Sequence, residues 1–380
     1  MGLIQEAKSL PALVAMLKHN DVDSALHDWA VRRYLDVRAR ERGVPLKGTF
    51  EITPLCNLDC KMCYVHLNAE QLGSAELLSA EQWKRIMAEA IDAGMMYATI
   101  TGGECLIHPD FDELYLYLHG RGVQITVFTN GVMLSDDRIA FFKAHPPAQI
   151  QVTLYGMNEV TYEQVTGRRV FDCVKCNMTK AIEAKLPLLL AITPNRYLGN
   201  DNESLLRYVI ESGVPFRLNT ILMTPRSETG RDDGFKDLSY DDYIHLLKLK
   251  RELVDQVVLA ECSDDLIVTE DSELTESPKG LRCGAGRSGF KVTWDGKLVP
   301  CDKLMQGAVS LQEELFIDGW NKIHRFAEEF KLPIECEKCP YASIARGCPA
   351  EHYKQSGHAD LEQCKWCKAL YKAGFLKSKR

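Results

Sequence analysis

Residues 49–64, Thr-Phe-Glu-Ile-Thr-Pro-Leu-Cys-Asn-Leu-Asp-Cys-Lys-Met-Cys-Tyr, decide how the rest of the chain is read. Thr49–Thr53 alternates in character and is rich in β-branched and aromatic residues, which predicts a strand ending at Pro54. Cys56, Cys60 and Cys63 follow on the next loop. Soft sulfur ligands suit iron–sulfide. Three thiols leave one iron of a four-iron cluster without a side chain, whereas a closed structural site takes four. The rival reading is a zinc loop completed from elsewhere, with His66 as candidate.

The same punctuation recurs downstream. Strand patterns fall at Tyr97–Thr101, Gln124–Thr129, Gln149–Leu154, Leu188–Thr193 and Phe216–Leu222, with helical stretches such as Ala80–Ala93 and Phe111–Arg121 between them. This alternation predicts βαβ units on a parallel sheet. Six units fall short of an eight-fold barrel. The fold class is therefore α/β, a partial (β/α)6 TIM-like barrel over residues 48–225. Each strand runs into polar, Gly or Cys residues: Pro54–Cys56, Gly102–Glu104, Asn130–Gly131, Tyr155–Gly156, Pro194–Asn195 and Thr224–Arg226. Functional residues of such barrels gather at C-terminal strand ends, so these segments point to one shared site.

Residues 1–47 read as a helical extension, with a stripe through Ala25, Leu26, Trp29, Ala30, Arg33, Tyr34 and Val37 that stops near Gly43 and Pro45. Residues 226–280 are a polar bridge with one helix near Tyr240–Val258. Residues 281–380 carry seven cysteines and too little apolar material for a large core, so bound metal has to contribute to their stability.

The chain has 380 residues, 46 Lys and Arg against 53 Asp and Glu, and a net charge of −7. That length allows two or three domains. A mildly acidic chain does not bind nucleic acid or an anionic membrane through bulk charge. No run approaches the ~18 apolar residues of a membrane helix, and the start, MGLIQEAKSL, lacks the marks of a secretory signal. A cytoplasmic protein with no nucleic-acid or membrane partner is expected. In that reducing compartment clustered cysteines read as metal or redox ligands.

Thr101-Gly102-Gly103-Glu104 closes the second strand. Two glycines admit a ligand to the backbone, and Glu104 offers a carboxylate to an ammonium group. With Cys56–Tyr64, Thr129-Asn130-Gly131 and Val152-Thr153-Leu154-Tyr155-Gly156, the segment from 48 to about 225 resembles the radical S-adenosylmethionine (radical SAM) superfamily. The resemblance implies a [4Fe–4S] cluster whose open iron binds S-adenosyl-L-methionine. One-electron cleavage of the sulfonium then yields a 5′-deoxyadenosyl radical that takes a hydrogen atom from the substrate. Carried over, Cys56, Cys60 and Cys63 ligate the cluster. Met62 lies against the adenine, Gly102, Gly103 and Glu104 hold the amino end, and Thr153 meets the ribose. Two positions depart: Tyr155 replaces an Asp, and the Arg expected near Thr166 is missing, with Arg168 or Arg169 as substitutes.

Cys283-x12-Gly296-x4-Cys301 resembles the start of the SPASM extension, which implies two auxiliary [4Fe–4S] clusters. The middle block departs from that pattern, reading Cys336-x2-Cys339 and then Gly347-Cys348-Pro349. The assignment expected is Cys336, Cys339, Cys364 and Cys367 on one cluster. Cys283, Cys301 and Cys348 take the other, with an open iron or a ligand such as His352. Zinc is the alternative for the whole region. Asp302, directly after Cys301, matches the slot of a proton-accepting Asp in sulfatase-maturing relatives.

Among the remaining cysteines, Cys105, Cys173 and Cys176 are expected to pack as small hydrophobes, and Cys262 is a distant ligand candidate. His66 and His108 are expected to be structural. The expected activity is modification of a peptide or protein, by crosslinking, epimerisation or sulfatase-type maturation, with a flavodoxin- or ferredoxin-type electron donor. Oxidation of a small molecule or carbohydrate is the alternative, and a non-catalytic zinc-binding regulatory module is the rival outside enzymes.

Overall fold

The computed structural model describes residues 14, 24–219, 238–254, 280–281, 283–331 and 368–374. Six strands lie side by side in chain order, each parallel to the next: β1 (Lys47–Glu51), β2 (Tyr97–Thr101), β3 (Gln124–Thr129), β4 (Gln149–Leu154), β5 (Leu188–Ile192) and β6 (Phe216–Leu218). Helices α1 (Ser24–Arg42), α2 (Ala80–Asp92), α3 (Phe111–Gly120), α4 (Asp136–Ala144), α5 (Glu159–Thr166), α6 (Phe171–Glu183) and α7 (Asp201–Glu211) precede or connect them. Two further helices are α8 (Tyr240–Val254) and α9 (Phe316–Glu329). The expected strands and helices therefore form, with β1 starting two residues early. Residues 220–222 and 255–258 of the expected strand and helix lie outside the described residues.

Alternation along the strands separates two faces. Phe50, Ile52, Ile100, Val127, Ile150 and Val152 are buried towards the helices, and the Phe50 ring meets Trp83 of α2 edge-on at 6.2 Å. The opposite face carries Thr49, Glu51, Thr99, Thr101, Thr126, Gln151 and Thr153. Branched apolar side chains fill the interior of a complete barrel. Here hydroxyls, an amide and a carboxylate take many of those places, beside Phe128 of β3 and Leu189 and Ala191 of β5, so much of the inner face offers polar contacts.

The sheet does not stop at β1. β7 (Gly289–Val292) pairs parallel with β1 on its free side, and β8 (Lys297–Val299) and β9 (Val309–Ser310) follow antiparallel. The order is β6-β5-β4-β3-β2-β1-β7-β8-β9. An aromatic seam explains the junction. Phe290 of β7 lies 6.0 Å from Phe50, 4.8 Å from Phe316 and 6.1 Å from Trp320. α9 buries Phe316, Trp320, Ile323 and Ala327 at three- and four-residue spacing, the pattern of a helix seated on a sheet. Trp320 Nε1 also donates to Gly43 O at 2.7 Å, which fixes the end of α1.

α1 is held to the same region by Asp36, whose buried carboxylate accepts from Ser288 Oγ at 2.8 Å and pairs with Arg40 at 2.6 Å and Lys47 at 3.2 Å. Burial alone raises the Asp36 pKa; Arg40, Lys47 and Ser288 outweigh it and hold the carboxyl below its ordinary value. A carboxyl depressed in the folded state stabilises fully above its unfolded pKa, and that contribution is lost as pH falls through the folded one. Asp36→Asn is expected to cost about 2–4 kcal/mol at neutral pH and to flatten the acid limb of stability, as urea unfolding across pH will report.

Candidate active site

The loop that carries the three cysteines is pressed against the end of β2. Gly103 N–H donates to Thr53 O at 2.7 Å, and Glu104 N–H to Leu55 O at 2.9 Å. A Cβ at Gly102 would stand 2.5 Å from Thr53 O, and one at Gly103 2.3 Å from Leu55 O. Neither is a distance that real Cβ atoms tolerate. The two glycines thus let β2 lie flat on the chain leading into Cys56, a requirement separate from ligand access.

Glu104 is 1% exposed. Its Oε1 accepts the Thr129 hydroxyl at 2.9 Å and Leu106 N–H at 3.1 Å, and its Oε2 accepts Asn130 N–H at 2.7 Å. Burial pushes the Glu104 carboxyl up to about 7 against the pull of these donors. The Asn130 side-chain amide donates to Asn57 Oδ1 at 2.7 Å and reaches Cys56 Sγ at 3.7 Å. Residues following β1, β2 and β3 are therefore knitted into one network.

Further donors face the sulfurs. Leu58 N–H points to Cys56 Sγ at 3.4 Å and His66 N–H to Cys63 Sγ at 3.2 Å. The C-terminal turn of α5 holds the middle of the loop, where Thr166 O and Val165 O accept from Asp59 N–H and Lys61 N–H at 2.8 and 2.9 Å. Burial pushes the Cys56 thiol up to about 12, and Glu104 and Cys63 add to the rise. Cys60 is buried and Cys56 and Cys63 half-buried. Among the described residues no three His, Cys, Asp or Glu side chains are placed to hold a single metal ion. Soft donors on one loop that are costly to ionise alone suit instead a cationic metal group that takes up their charge. The residues fit a thiolate-held iron–sulfur cluster.

Tyr155 stands beside this loop: burial pushes its phenol well above the ordinary value, and Cys60, Cys63 and Cys56 each contribute. The residue that departs from the family pattern is thus a neighbour of all three thiols. Met62 is buried in the core beneath the loop, and Thr153 is half-buried on the inner face of β4. The His66 ring pairs with Asp59, Nδ1 lying 3.3 Å from the carboxylate. His108 Nδ1 accepts Asp110 N–H at 3.1 Å, a turn contact. Cys105 is fully buried and donates to Phe128 O at 3.2 Å, as a packing residue does. Arg168 and Arg169 are exposed, and Arg169 pairs with Glu163 at 3.0 Å.

Cys173 and Cys176 correct the packing expectation. Both are exposed, because α6 turns Val174, Met178 and Ala181 inward and leaves them on its flank.

Asp302 contacts Lys291 Nζ, and the same ammonium contacts Glu51. Lys291 is 1% exposed and lies 5.6 Å from the Tyr64 ring centroid. Lys291 and Glu51 escaped sequence reasoning. The available signal was a lone Lys within Gly-Phe-Lys-Val, on the face opposite a buried Phe. Cys283 is exposed and Cys301 half-buried. Cys262, Cys336, Cys339, Cys348, His352, Cys364 and Cys367 lie outside the described residues. Among the described residues no helix is long and apolar enough to cross a membrane.

Gly103→Ala is expected to lower thermal stability by about 1–3 kcal/mol and to reduce the iron retained after anaerobic reconstitution. Gly120→Ala, where an added methyl meets nothing within 4 Å, should be neutral or slightly stabilising in its helix. Calorimetry and iron assay of both variants check the contrast.

Comparison with known proteins accords with this geometry. Residues 50–209 match the family model described as Radical SAM superfamily. The chain is 24% identical over 355 residues to the antilisterial bacteriocin subtilosin biosynthesis protein AlbA of Bacillus subtilis, covering 87% of this chain and 73% of that protein. It is 23% identical over 346 residues to the AdoMet-dependent heme synthase of Methanosarcina barkeri, covering 86% and 96%. The structure of anSMEcpe with bound AdoMet and Kp18Cys peptide superposes with a TM-score of 0.67 at 17% identity, covering 87% and 97%, and shares the fold. The α/β partial barrel is thereby shown, and the segment 50–209, with the three-cysteine loop at its front, is the part of the chain that matches the radical SAM family model.

Proposed function

We propose that the chain is a radical S-adenosylmethionine enzyme that modifies a peptide or protein. The observation that carries the reading is the bridge from Cys56 through Asn130 to Glu104, which sets a thiol loop and an ammonium-binding carboxylate side by side. When bound, a [4Fe–4S] cluster and S-adenosylmethionine supply one-electron cleavage to a 5′-deoxyadenosyl radical.

The chain's own residues hold and orient. Cys56, Cys60 and Cys63 would hold the front cluster. Glu104, with the Gly102–Gly103 backbone, would receive the amino group of S-adenosylmethionine. Met62 would lie against the adenine, and Thr153 would meet the ribose. Asp302, held by Lys291, would take a proton from the substrate. The SPASM region 281–380 would carry two auxiliary clusters, one on Cys336, Cys339, Cys364 and Cys367 and one on Cys283, Cys301 and Cys348. A flavodoxin- or ferredoxin-type protein would deliver the electron.

The choice of a peptide is supported by likeness to a bacteriocin biosynthesis protein and to a structure holding a peptide. Likeness along 96% of a heme synthase supports the second reading, a small-molecule substrate.

Two experiments test the proposal. Anaerobic enzyme given dithionite and S-adenosylmethionine should form 5′-deoxyadenosine, and the triple Cys56→Ala, Cys60→Ala, Cys63→Ala variant should form none. Glu104 must be ionised to pair with an ammonium, so affinity for S-adenosylmethionine should rise with pH through about 7. Glu104→Gln should lose that pH dependence and bind more weakly by about 1.5–3 kcal/mol, the worth of a charged hydrogen bond. Equilibrium binding across pH measures both.

A further inference from the structure

Cys173 and Cys176 stand three residues apart in the first two turns of α6, both exposed. Helix geometry places their Cα atoms about 5 Å apart, within the span a disulfide bridges. Val170 gives α6 no side-chain cap, and Asp172 N–H in its first turn donates instead to Glu159 Oε1 at 2.9 Å.

The pair is wired to the site. Cys173 Sγ lies 3.7 Å from Asn177 Nδ2 and 3.9 Å from Val132 O. Asn177 Nδ2 donates to Gly131 O and Val132 O, each at 3.0 Å. Val132 N–H donates to Asn130 Oδ1 at 3.0 Å. Asn130 is the residue that holds both Glu104 and Cys56. A continuous run of polar contacts thus leads from a surface dithiol to the turn that organises the active site.

We propose that Cys173 and Cys176 form a reversible disulfide that loosens the 130–132 turn and so regulates the hold of Asn130 on Glu104 and Cys56. The oxidant is a small-molecule disulfide. One cysteine, as its thiolate, attacks that disulfide, forming a mixed disulfide and releasing one thiol. The second cysteine displaces the other half. The Cys173–Cys176 bond forms as the small disulfide breaks, and two electrons and two protons pass to it to make two thiols. Closing the bond draws Cys173 Sγ towards Cys176 and away from Asn177 and Val132. A solvent-accessible cysteine with a resolving partner is the arrangement redox sensors use. Restraint at the oxygen-sensitive site is then reversible by a dithiol.

The test uses the reconstituted full chain, held anaerobically with glutathione disulfide. Trypsin cuts after Lys175, so the disulfide appears as one mass joining peptides 170–175 and 176–180. Amide hydrogen exchange in 129–133 should quicken about tenfold and affinity for S-adenosylmethionine should fall about tenfold, each a change of about 1.4 kcal/mol. Dithiothreitol should restore both, and Cys176→Ser should show neither. Absence of the joined peptide, or its formation with unchanged exchange, overturns the inference. The affinity arm rests on the proposed function, whereas the exchange arm does not. If untreated protein binds no S-adenosylmethionine yet exchange responds, the functional reading fails and the thiol switch stands.

Discussion

A single buried carboxylate sets the geometry of this molecule's site. Glu104 is surrounded by protein, and Thr129, Asn130 and Leu106 all donate to it, which offsets part of its burial cost. Those donors come from the end of β3 and from the turn after Glu104 itself. The donors from Thr129 and Asn130 depend on the parallel register that aligns β2 with β3. Asn130 then passes the constraint to Cys56 and Asn57. A buried acceptor left short of donors costs about 1–3 kcal/mol, so the strand ends cannot drift independently. The thiol loop inherits its position from that network and from the α5 carbonyls that grip its middle.

A second buried charge organises the opposite flank. Lys291 is almost fully enclosed between Glu51 and Asp302. Removing one member of such a set leaves an uncompensated charge, which is far more costly than never having buried the set. β7 therefore joins β1 with its Lys on the inner face and its Phe on the helical face. The aromatic seam and the ion set act on opposite faces of the same two strands. Together they bring Asp302 and Cys301 to the flank of the barrel where Glu51 leads into the thiol loop.

Much of this was legible in the chain. The parallel strands betrayed themselves because their buried faces are runs of Val, Ile, Leu and Phe punctuated by glycine and polar residues. The three-cysteine loop and Gly102–Glu104 could be placed at strand ends for the same reason. What could not be read were pairings decided by tertiary contact. β7 lies more than 230 residues from β1, and the meetings of Phe290 with Phe50 and of Lys291 with Glu51 select its place. The glycine pair looked like a ligand cradle, yet its methyl-free surface is first needed by the Thr53–Leu55 backbone. Cys173 and Cys176 read as core because cysteine is usually buried. The three-residue step that makes them share a face does not say whether that face is the buried one, and Val174, Met178 and Ala181 had already claimed it.

The central claim is that three cysteines, and no fourth side chain, hold an iron cluster on which Glu104 helps seat a sulfonium nucleotide. Its most direct test is low-temperature electron paramagnetic resonance of the full chain reduced with dithionite, before and after adding S-adenosylmethionine, with the spectrum of the Cys56→Ala, Cys60→Ala, Cys63→Ala variant subtracted. The account predicts a reduced four-iron signal that shifts on addition and that Glu104→Gln shifts only at higher nucleotide concentration. A signal indifferent to the nucleotide, or none assignable to Cys56, Cys60 and Cys63, would contradict it.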